Sequence, residues 1–388
     1  MPIAHIILTT AILITLATSV FLALRYRNIK LYGTEPSNLL AFTAILFTSG
    51  LDVGLIMFPL TEFPVYATET PYGFTNPLAI EFGFWAFLVW GFYFLTTFYF
   101  CVIEPRLKLF ELWWVALANN IVIVATCAFT GFLFLSYLPD YIADISPVAR
   151  YSLVAAVVLG AVLSSTDIRY VKWLSYGSFA LFALLILGLM VANGMGAGDL
   201  LASGQNLGGY FSNIDKFLSP VTDYHAFYLF WWFAWSIMIG QFVARFLGGI
   251  RPLQLLLALL ILPSIPIAIW FSVLFHYHTE EIVLAEYLQV AMVVVGIIFV
   301  LNSLDSLTRL YSENLNLTVK RLGMPLYIAG HWGLLFGLIM LYQFTPLKIE
   351  WIGMVVIALY GCIYFLIYRR REALQKLSQT GQPIHVQQ

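Results

Sequence analysis

The sequence predicts an all-α polytopic membrane protein with about eleven transmembrane helices. Of its 388 residues, 61% are hydrophobic and only 10% are charged, whereas about a quarter of the residues of a soluble domain carry charge. The apolar residues form runs of about 20, the length that an α-helix needs to cross the hydrocarbon core. A net charge of −1 provides no basic surface for nucleic acid. The three cysteines are too scattered for a disulfide framework or a metal site, so we expect no metal, no cofactor and no catalytic residue.

Eleven apolar runs are long enough to span a membrane. The first, 4–24, is longer than the apolar core of a signal peptide, and we expect it to be retained as a helix. The other ten are predicted at 38–61, 78–101, 113–137, 148–165, 170–192, 222–246, 253–275, 284–306, 323–345 and 350–368.

The distribution of the basic residues predicts how these spans are oriented in the membrane. If the chain crosses eleven times, sixteen of its 19 Lys and Arg residues lie on one side, and only Arg150, Lys216 and Lys348 lie on the other. Cytoplasmic loops carry an excess of Lys and Arg. The sequence therefore predicts a multi-pass protein of the cell (inner) membrane, with its N-terminus outside and its C-terminus in the cytoplasm.

The longest connection, 194–220, divides the spans into groups. It is predicted to be an extracytoplasmic loop with a short surface helix, and it leaves five spans on each side of it. Because five is odd, the second group enters the membrane from the opposite face, as in inverted-repeat transporters. The predicted units are an extra N-terminal helix with a cytoplasmic loop, a first five-helix repeat, the connection, a second repeat, and a short tail whose basic cluster anchors it at the lipid surface. Their bounds are 1–34, 35–194, 195–220, 221–369 and 370–388.

The second span contains a carboxylate between two glycines. Asp52 lies between Gly50 and Gly54, and a charged group at mid-membrane costs about 2.5–3.5 kcal/mol even on the gentlest insertion scale. The glycines allow an unwound segment whose backbone groups line a site. We therefore assign Asp52, Gly50 and Gly54 to substrate binding; an Asp paired structurally inside the bundle is the alternative.

Two spans carry clusters of large aromatic residues near their middle. At 100° per residue, the three aromatic residues of the third span fall within about 140° of one helix face, and three tryptophans lie within five residues of the seventh span. The predicted pocket walls are Trp85, Trp90 and Tyr93, and Trp231, Trp232 and Trp235. An indole face attracts a cation by about 0.5–2 kcal/mol, and aromatic cages recognise quaternary ammonium groups. An interfacial aromatic belt or plain packing is the alternative.

Polar residues in two further spans suit an alkali cation. Thr126 and Thr130 lie one turn apart in the fourth span, and Asn302, Ser303 and Asp305 lie near the end of the ninth. Hydroxyl, amide and carboxylate oxygens are the ligands that hard cations prefer. Hydroxyl groups that bond back to their own helix are the alternative.

At these residues the sequence resembles the betaine/choline/carnitine transporter (BCCT) family. "LFWWFAWSIMIGQFVAR" keeps three tryptophans, the glycine and the Ala-Arg pair of the family's eighth-helix signature. "SGLDVG" followed by "TEFP", "FWAFLVWGFY" and "NSLDS" match further family motifs in the same order. The likeness runs from about Tyr32 to Pro346.

The resemblance implies a fold and a function. The fold would be the LeuT-type 5+5 inverted repeat, here preceded by one extra helix, and many members are homotrimers. The aromatic box would comprise Trp85, Trp90, Tyr93 and Trp232, with Trp231 and Trp235 on its access side. Sodium sites would be formed by Thr48 and Leu51 with Phe299, Asn302 and Ser303, and by Thr126 and Thr130 near Met238.

Some positions depart from the family pattern. Ile237, Met238 and Asn302 replace a Pro, a Phe and a Thr, so the coupling ion can be Na⁺ or H⁺. Asp52 replaces a glycine of many members and favours a true cation such as choline over a zwitterion, or carries a proton if burial raises its pKa. We predict a secondary active transporter of a trimethylammonium compound such as choline or glycine betaine. A membrane enzyme or a transport-fold receptor that recognises a choline-type head group is the alternative.

Overall fold

The computed structural model describes residues 3–38, 42–43, 46–47, 53–167 and 169–372, except for the side chains of residues 171 and 172. Four predicted site residues lie outside the described residues: Thr48, Gly50, Leu51 and Asp52.

Ten helical segments of the described residues are long and apolar enough to cross a membrane. They are Ile3–Arg25, Pro77–Leu107, Trp113–Tyr141, Pro147–Ser164, Trp173–Ala192, Asp223–Arg245, Pro252–Thr279, Glu286–Asn314, Met324–Phe344 and Ile349–Arg369. These segments coincide with ten of the eleven predicted spans. The remaining prediction, 38–61, falls partly outside the described residues. The prediction of an all-α polytopic membrane protein is confirmed.

The regular elements are almost entirely helical. The helices are α1 (Ile3–Arg25), α2 (Gly54–Thr68), α3 (Pro77–Trp85), α4 (Trp90–Phe98), α5 (Glu104–Leu107), α6 (Trp113–Tyr141), α7 (Pro147–Ser164), α8 (Arg169–Ala192), α9 (Ala197–Gln205), α10 (Gly208–Ser212), α11 (Asp223–Arg245), α12 (Pro252–Ile261), α13 (Ser264–Thr279), α14 (Glu286–Asn314), α15 (Val319–Leu322), α16 (Met324–Phe344) and α17 (Ile349–Arg369). Short 3₁₀ turns lie at Thr70–Tyr72, Phe87–Val89, Leu109–Glu111 and Ile214–Leu218, and a π-helical turn lies at Tyr99–Ile103. Strands β1 (Leu31–Tyr32) and β2 (Gly248–Ile250) pair in the antiparallel direction.

The third span is interrupted, which the sequence analysis did not predict. Ala86 is extended, with φ −126° and ψ 171°, and Phe87 has a φ of 54°, which lies in the left-handed region. The α-helix resumes only at Trp90. The prediction that the three aromatic residues of this span share one face of a continuous helix is therefore wrong, because the break resets the helical register.

The eighth span has a break in its hydrogen bonding near Pro263, although Leu262 and Pro263 keep α-helical backbone angles, and this second break meets the first. Helix α12 ends at Ile261, Pro263 follows, and α13 begins at Ser264. The backbone N–H of Phe87 in the first break donates to Ser264 Oγ at 3.0 Å. The third and eighth spans hold the same position in the two predicted groups of five. Helices α6 and α14 also hold equivalent positions in the two groups; both are 29 residues long, and they pack extensively against each other.

Helix α11 lies at the centre of the bundle, packed on α4 and α17. Glycines permit these close approaches: a Cβ atom at Gly240 would lie 2.1 Å from Thr96 Oγ1, and one at Gly353 would lie 2.5 Å from the carbonyl oxygen of Phe230. Small residues at helix contacts allow backbones to approach closely in membranes. Thr96 Oγ1 also donates to the carbonyl oxygen of Ser236 at 2.7 Å, which fixes α4 against α11.

The connection 194–220 covers one end of the bundle, the predicted outer end. Instead of one short helix it contains α9, α10 and a 3₁₀ turn. Helix α9 packs on α13, and α10 packs on α3. A Cβ atom at Gly83 would lie 2.2 Å from the Phe217 ring, so this glycine lets the connection lie directly on α3.

Candidate functional site

Three predicted tryptophans form one contiguous cluster inside the bundle. The Trp85 ring stands nearly perpendicular to those of Trp231 and Trp232, with centroid distances of 5.3 and 5.2 Å. Trp231 and Trp232 are stacked at 5.2 Å with an interplanar angle of 10°. All three side chains are buried. We call Trp85, Trp231 and Trp232 the tryptophan cluster; its rings face one another and not the lipid.

The break in the third span orients this cluster. Where α3 ends, the carbonyl groups of its last turn lose their helical partners. The carbonyl oxygen of Phe84 accepts the indole N–H of Trp232 at 2.6 Å, and the carbonyl oxygen of Trp85 accepts that of Trp90 at 3.2 Å. The indoles therefore satisfy backbone acceptors that the break exposes, as buried polar groups require.

Helix α2 begins directly against this cluster. A Cβ atom at Gly54 would lie 2.6 Å from Trp85 Cη2, so a side chain at this position would overlap the indole ring unless the ring shifted. Farther along, Pro59 lacks an N–H group and leaves the carbonyl oxygen of Leu55 without its helical donor. The indole N–H of Trp270 on α13 donates to this oxygen at 2.8 Å.

The other three predicted aromatic residues are buried but lie outside the cluster. Trp90 and Tyr93 contact each other, with ring centroids 5.2 Å apart. Trp235 makes no ring contact with a described residue. The N–H groups of Trp85, Trp231 and Trp235 have no hydrogen-bond partner among the described residues. The structure thus brings three of the six aromatic candidates together.

The cluster is closed in this conformation. A cation binds over a ring face within about 6 Å of the ring centroid, so two rings that enclose it must be much farther apart than rings in direct contact. Trp231 and Trp232 are stacked on each other, which leaves no space between them. Binding of a trimethylammonium group between these two rings therefore requires at least one of them to rotate.

Two buried carboxylates beside the cluster were missed as site residues by the sequence analysis. Glu62 Oε1 accepts the hydroxyl groups of Tyr224 at 2.8 Å and Tyr137 at 3.2 Å. Glu81 Oε2 accepts the hydroxyl group of Tyr66 at 2.8 Å. The exposed fractions of Glu62 and Glu81 are 9% and 0%. We call these two acids and three tyrosines the carboxylate network.

The carboxylate network is continuous with the tryptophan cluster. The Tyr137 ring stacks on Phe58 at 4.0 Å, and Phe58 contacts Trp85 at 5.9 Å and Trp231 at 6.4 Å. Glu81 and Trp85 lie four residues apart on α3, a spacing that places them on the same face of the helix. They are close enough to interact, although neither Glu81 Oε1 nor Trp85 Nε1 has a hydrogen-bond partner among the described residues.

The candidate sodium ligands that the structure describes are buried. Thr130 Oγ1 lies 3.5 Å from the carbonyl oxygen of Thr126, its own helix neighbour. Phe299 packs against the rings of Phe47 and Phe182. The following six have an exposed fraction of 0%: Thr126, Thr130, Met238, Phe299, Asn302 and Ser303. Their role in ion coupling stays a prediction.

Asp305 lies in an ion pair and not among open ligands. Its Oδ1 is 3.0 Å from a guanidinium nitrogen of Arg309, and that nitrogen also donates to the carbonyl oxygens of Ser164 and Asp167 at 2.6 Å. The pair therefore caps the C-terminal end of α7. In the adjoining turn, the hydrogen-bonded Arg169 guanidinium lowers the pKa of Asp167 to about 2.

Comparisons with known proteins identify transporters as relatives. No family model matches the chain. An uncharacterized transporter of Mycobacterium tuberculosis is 29% identical over 148 residues, which cover 35% of this chain and 23% of that protein. The glycine betaine transporter OpuD of Bacillus subtilis is 24% identical over 283 residues, covering 61% and 54%. A glycine betaine/proline/choline transporter of Vibrio parahaemolyticus is 27% identical over 164 residues, covering 40% and 29%.

The names of these relatives are those of transporters and not of enzymes, which agrees with the prediction of a transporter. The chain spans about half the length, or less, of the curated relatives it matches. Among solved structures, a substrate-bound, outward-open Na⁺-coupled sialic acid symporter is similar, with a TM-score of 0.49 and 14% identity over 92% of this chain and 85% of that one.

Proposed function

We propose that the protein is a secondary active transporter of a quaternary (trimethyl)ammonium compound such as choline or glycine betaine, and a member of the BCCT family. The observation that carries this proposal is the tryptophan cluster, three indoles packed together inside a bundle of membrane helices. A quaternary ammonium group has no N–H to donate, so ring faces are the natural partners for it.

Two further observations support the proposal. Relatives whose names state a substrate transport glycine betaine, or glycine betaine, proline and choline. The two breaks that meet at Phe87 and Ser264 give each predicted repeat an interrupted helix, and such helices accompany substrate sites in inverted-repeat transporters. We infer alternating access, in which the two groups of five spans move relative to each other around the cluster.

The coupling ion and the assembly are part of the same proposal. Both Na⁺ and H⁺ are candidates, with the buried oxygens of Thr126, Thr130, Asn302 and Ser303 as sodium ligands. A homotrimer follows from the family resemblance. Uptake into proteoliposomes under an imposed Na⁺ gradient, an H⁺ gradient or no gradient distinguishes the coupling modes, and cross-linking in the membrane reports the assembly.

The decisive experiment removes one ring. Trp232→Leu deletes one of the three mutually contacting indoles, and we expect uptake of labelled choline and glycine betaine to be lost. Trp173→Leu is the matched control, since its side chain is 77% exposed on the bundle surface and its loss leaves the cluster intact. Size-exclusion profiles in detergent show whether both variants fold.

The outcomes separate the hypotheses. Retained uptake by a folded Trp232→Leu variant rejects the aromatic site. Binding without accumulation by the wild-type protein in proteoliposomes would identify a receptor, and chemical conversion of the labelled compound would identify an enzyme.

A further inference from the structure

Glu81 is a carboxylate whose hydrogen bonding is incomplete. Oε2 accepts one hydrogen bond from Tyr66, but Oε1 has no partner among the described residues, and the side chain has an exposed fraction of 0%. An ionised carboxylate without compensation is very costly in an apolar interior, and such a group is neutralised instead.

Among the described residues, the groups that face Glu81 supply no positive charge. The described ionisable side chains close enough to interact with it are carboxyl and phenol groups. They are Glu62 and Tyr66 of α2, Tyr72 of the adjoining turn, Tyr137 of α6, and Tyr224 and Tyr228 of α11. No described Lys, Arg or His forms an ion pair with Glu81.

Ionisable groups on the other elements around α3 have different partners. His225 of α11 stacks on Phe84, and its Nδ1 accepts the backbone N–H of Val221. Tyr210 of α10 contacts Phe82 and accepts the backbone N–H of Leu88. On α13, His276 and His278 lie in the last turn, His278 against Phe63, and the Tyr277 hydroxyl group donates to the carbonyl oxygen of Leu189. Asp223 of α11 contacts His5, Arg245 of α11 pairs with Glu313, and Asp215 and Lys216 pair with each other at the surface.

The protein therefore offers Glu81 two ways to become neutral. The carboxyl group can hold a proton, or a cation bound at the tryptophan cluster can neutralise the carboxylate. Trp85, which belongs to the cluster and faces Glu81, brings the two sites together. Both states are electrically balanced, but a proton and a cation together leave one excess positive charge in the interior.

We propose that Glu81 exchanges its proton for the cationic substrate. When the trimethylammonium cation binds, the O–H bond of the Glu81 carboxyl group breaks and its proton passes to water. The resulting carboxylate stays beside the bound cation, and no bond to carbon forms or breaks. The inference rests on the proposed function, since it requires a cation at the tryptophan cluster. It specifies the substrate as a permanent cation of the choline type, because the carboxylate of a betaine would be repelled by the carboxylate of Glu81. It also specifies cation/proton exchange as the transport mode.

Titration calorimetry of the purified protein with choline tests the exchange. At each pH the heat is measured in two buffers of different ionisation enthalpy, which counts the protons released. We expect close to one proton per choline at acidic pH and none at alkaline pH. In the acidic range the affinity for choline rises about tenfold per pH unit, because only the deprotonated site accepts the cation.

Three variants test whether Glu81 holds the proton that is exchanged. Glu81→Gln is expected to bind choline more weakly, without proton release and with an affinity independent of pH. Glu280→Gln, which removes an exposed carboxylate just after α13, is the control and keeps the release. Tyr66→Phe removes the hydrogen bond that favours the carboxylate form, so the midpoint of the pH profile moves upward; this variant tests the assignment even if Glu81→Gln does not fold.

The results separate this inference from the proposed function. Choline binding by the wild-type protein with no proton release at any pH overturns the exchange and leaves the transporter proposal standing. Proton release that persists in Glu81→Gln, or an unchanged midpoint in Tyr66→Phe, shows that another acid exchanges the proton and also overturns it. If the wild-type protein binds no quaternary ammonium compound at all, the proposed function itself fails.

Discussion

Asp305 and Glu81 are both buried carboxylates in membrane helices, but their surroundings are opposite. Asp305 faces the Arg309 guanidinium, which in turn caps the end of α7 through two carbonyl groups. Glu81 faces phenols and a second acid. The comparison teaches that burial alone does not indicate the role of an intramembrane acid. A carboxylate with a cationic partner in the protein holds helices together, whereas one without such a partner is available to a proton or a ligand.

The largest effect is expected at the ion pair. Asp305→Ala leaves the Arg309 charge buried without its counter-ion, and breaking a buried pair in this way costs about 3–5 kcal/mol. Thermal unfolding in detergent should show a large decrease in melting temperature. The double variant Asp305→Leu/Arg309→Met removes both charges, and we expect it to recover part of the loss. An unchanged melting temperature in Asp305→Ala would show that the pair is not structural.

A smaller effect is expected where α2 meets the tryptophan cluster. In Gly54→Ala the new methyl group would overlap the Trp85 ring, and overpacking of this kind costs about 1–3 kcal/mol. Choline binding should weaken together with the melting temperature, because the ring must shift. Gly330→Ala on α16 is the control, since nothing lies within 4 Å of a Cβ atom there. Equal behaviour of the two variants would contradict the close approach.

The smallest effect on stability is expected at Glu81. Glu81→Gln keeps the shape of the side chain and the oxygen that accepts from Tyr66, and it replaces a carboxyl group that is neutral without substrate and has no cationic partner among the described residues, so the melting temperature should decrease less than in Gly54→Ala. Asp305→Asn, measured in parallel, removes a charge that does have one. A loss in Glu81→Gln as large as that in Asp305→Asn would erase the distinction between the two acids.

The spans could be predicted from the sequence because their signal is local. Each apolar run is long enough to cross a bilayer, and ten of the eleven predictions coincide with helical segments of the described residues. The break at Ala86 could not be predicted: "WAFLVW" contains neither Gly nor Pro, and partners from α10, α11 and α13 stabilise it. The break at Pro263 has a sequence signal, since proline lacks the N–H group that a continuing helix needs, but the apolar run 253–275 predicts one continuous span. The pairing of β1 with β2 joins short segments that are far apart in the chain and carry no strand pattern.

The site could be predicted in part. The six predicted aromatic residues include all three members of the tryptophan cluster, because the sequence analysis selected the aromatic residues of both the third and the seventh span. The sequence does not predict which of the six aromatic residues contact one another, because their ring contacts depend on the helix break at Ala86. Glu81 had a signal, a carboxylate inside a membrane span and one turn before Trp85. It is not among the predicted site residues, because the carboxylate that the sequence pattern favours is Asp52, which lies between two glycines of another predicted span.

The packing of the three indoles also gives the protein an optical signature. Aromatic chromophores in fixed orientations only 5.2–5.3 Å apart couple their electronic transitions, and coupled transitions produce strong bands in near-ultraviolet circular dichroism. Rotation of a single ring would alter that spectrum. The opening of the cluster is therefore observable in the unlabelled protein, at the wavelengths where it absorbs naturally.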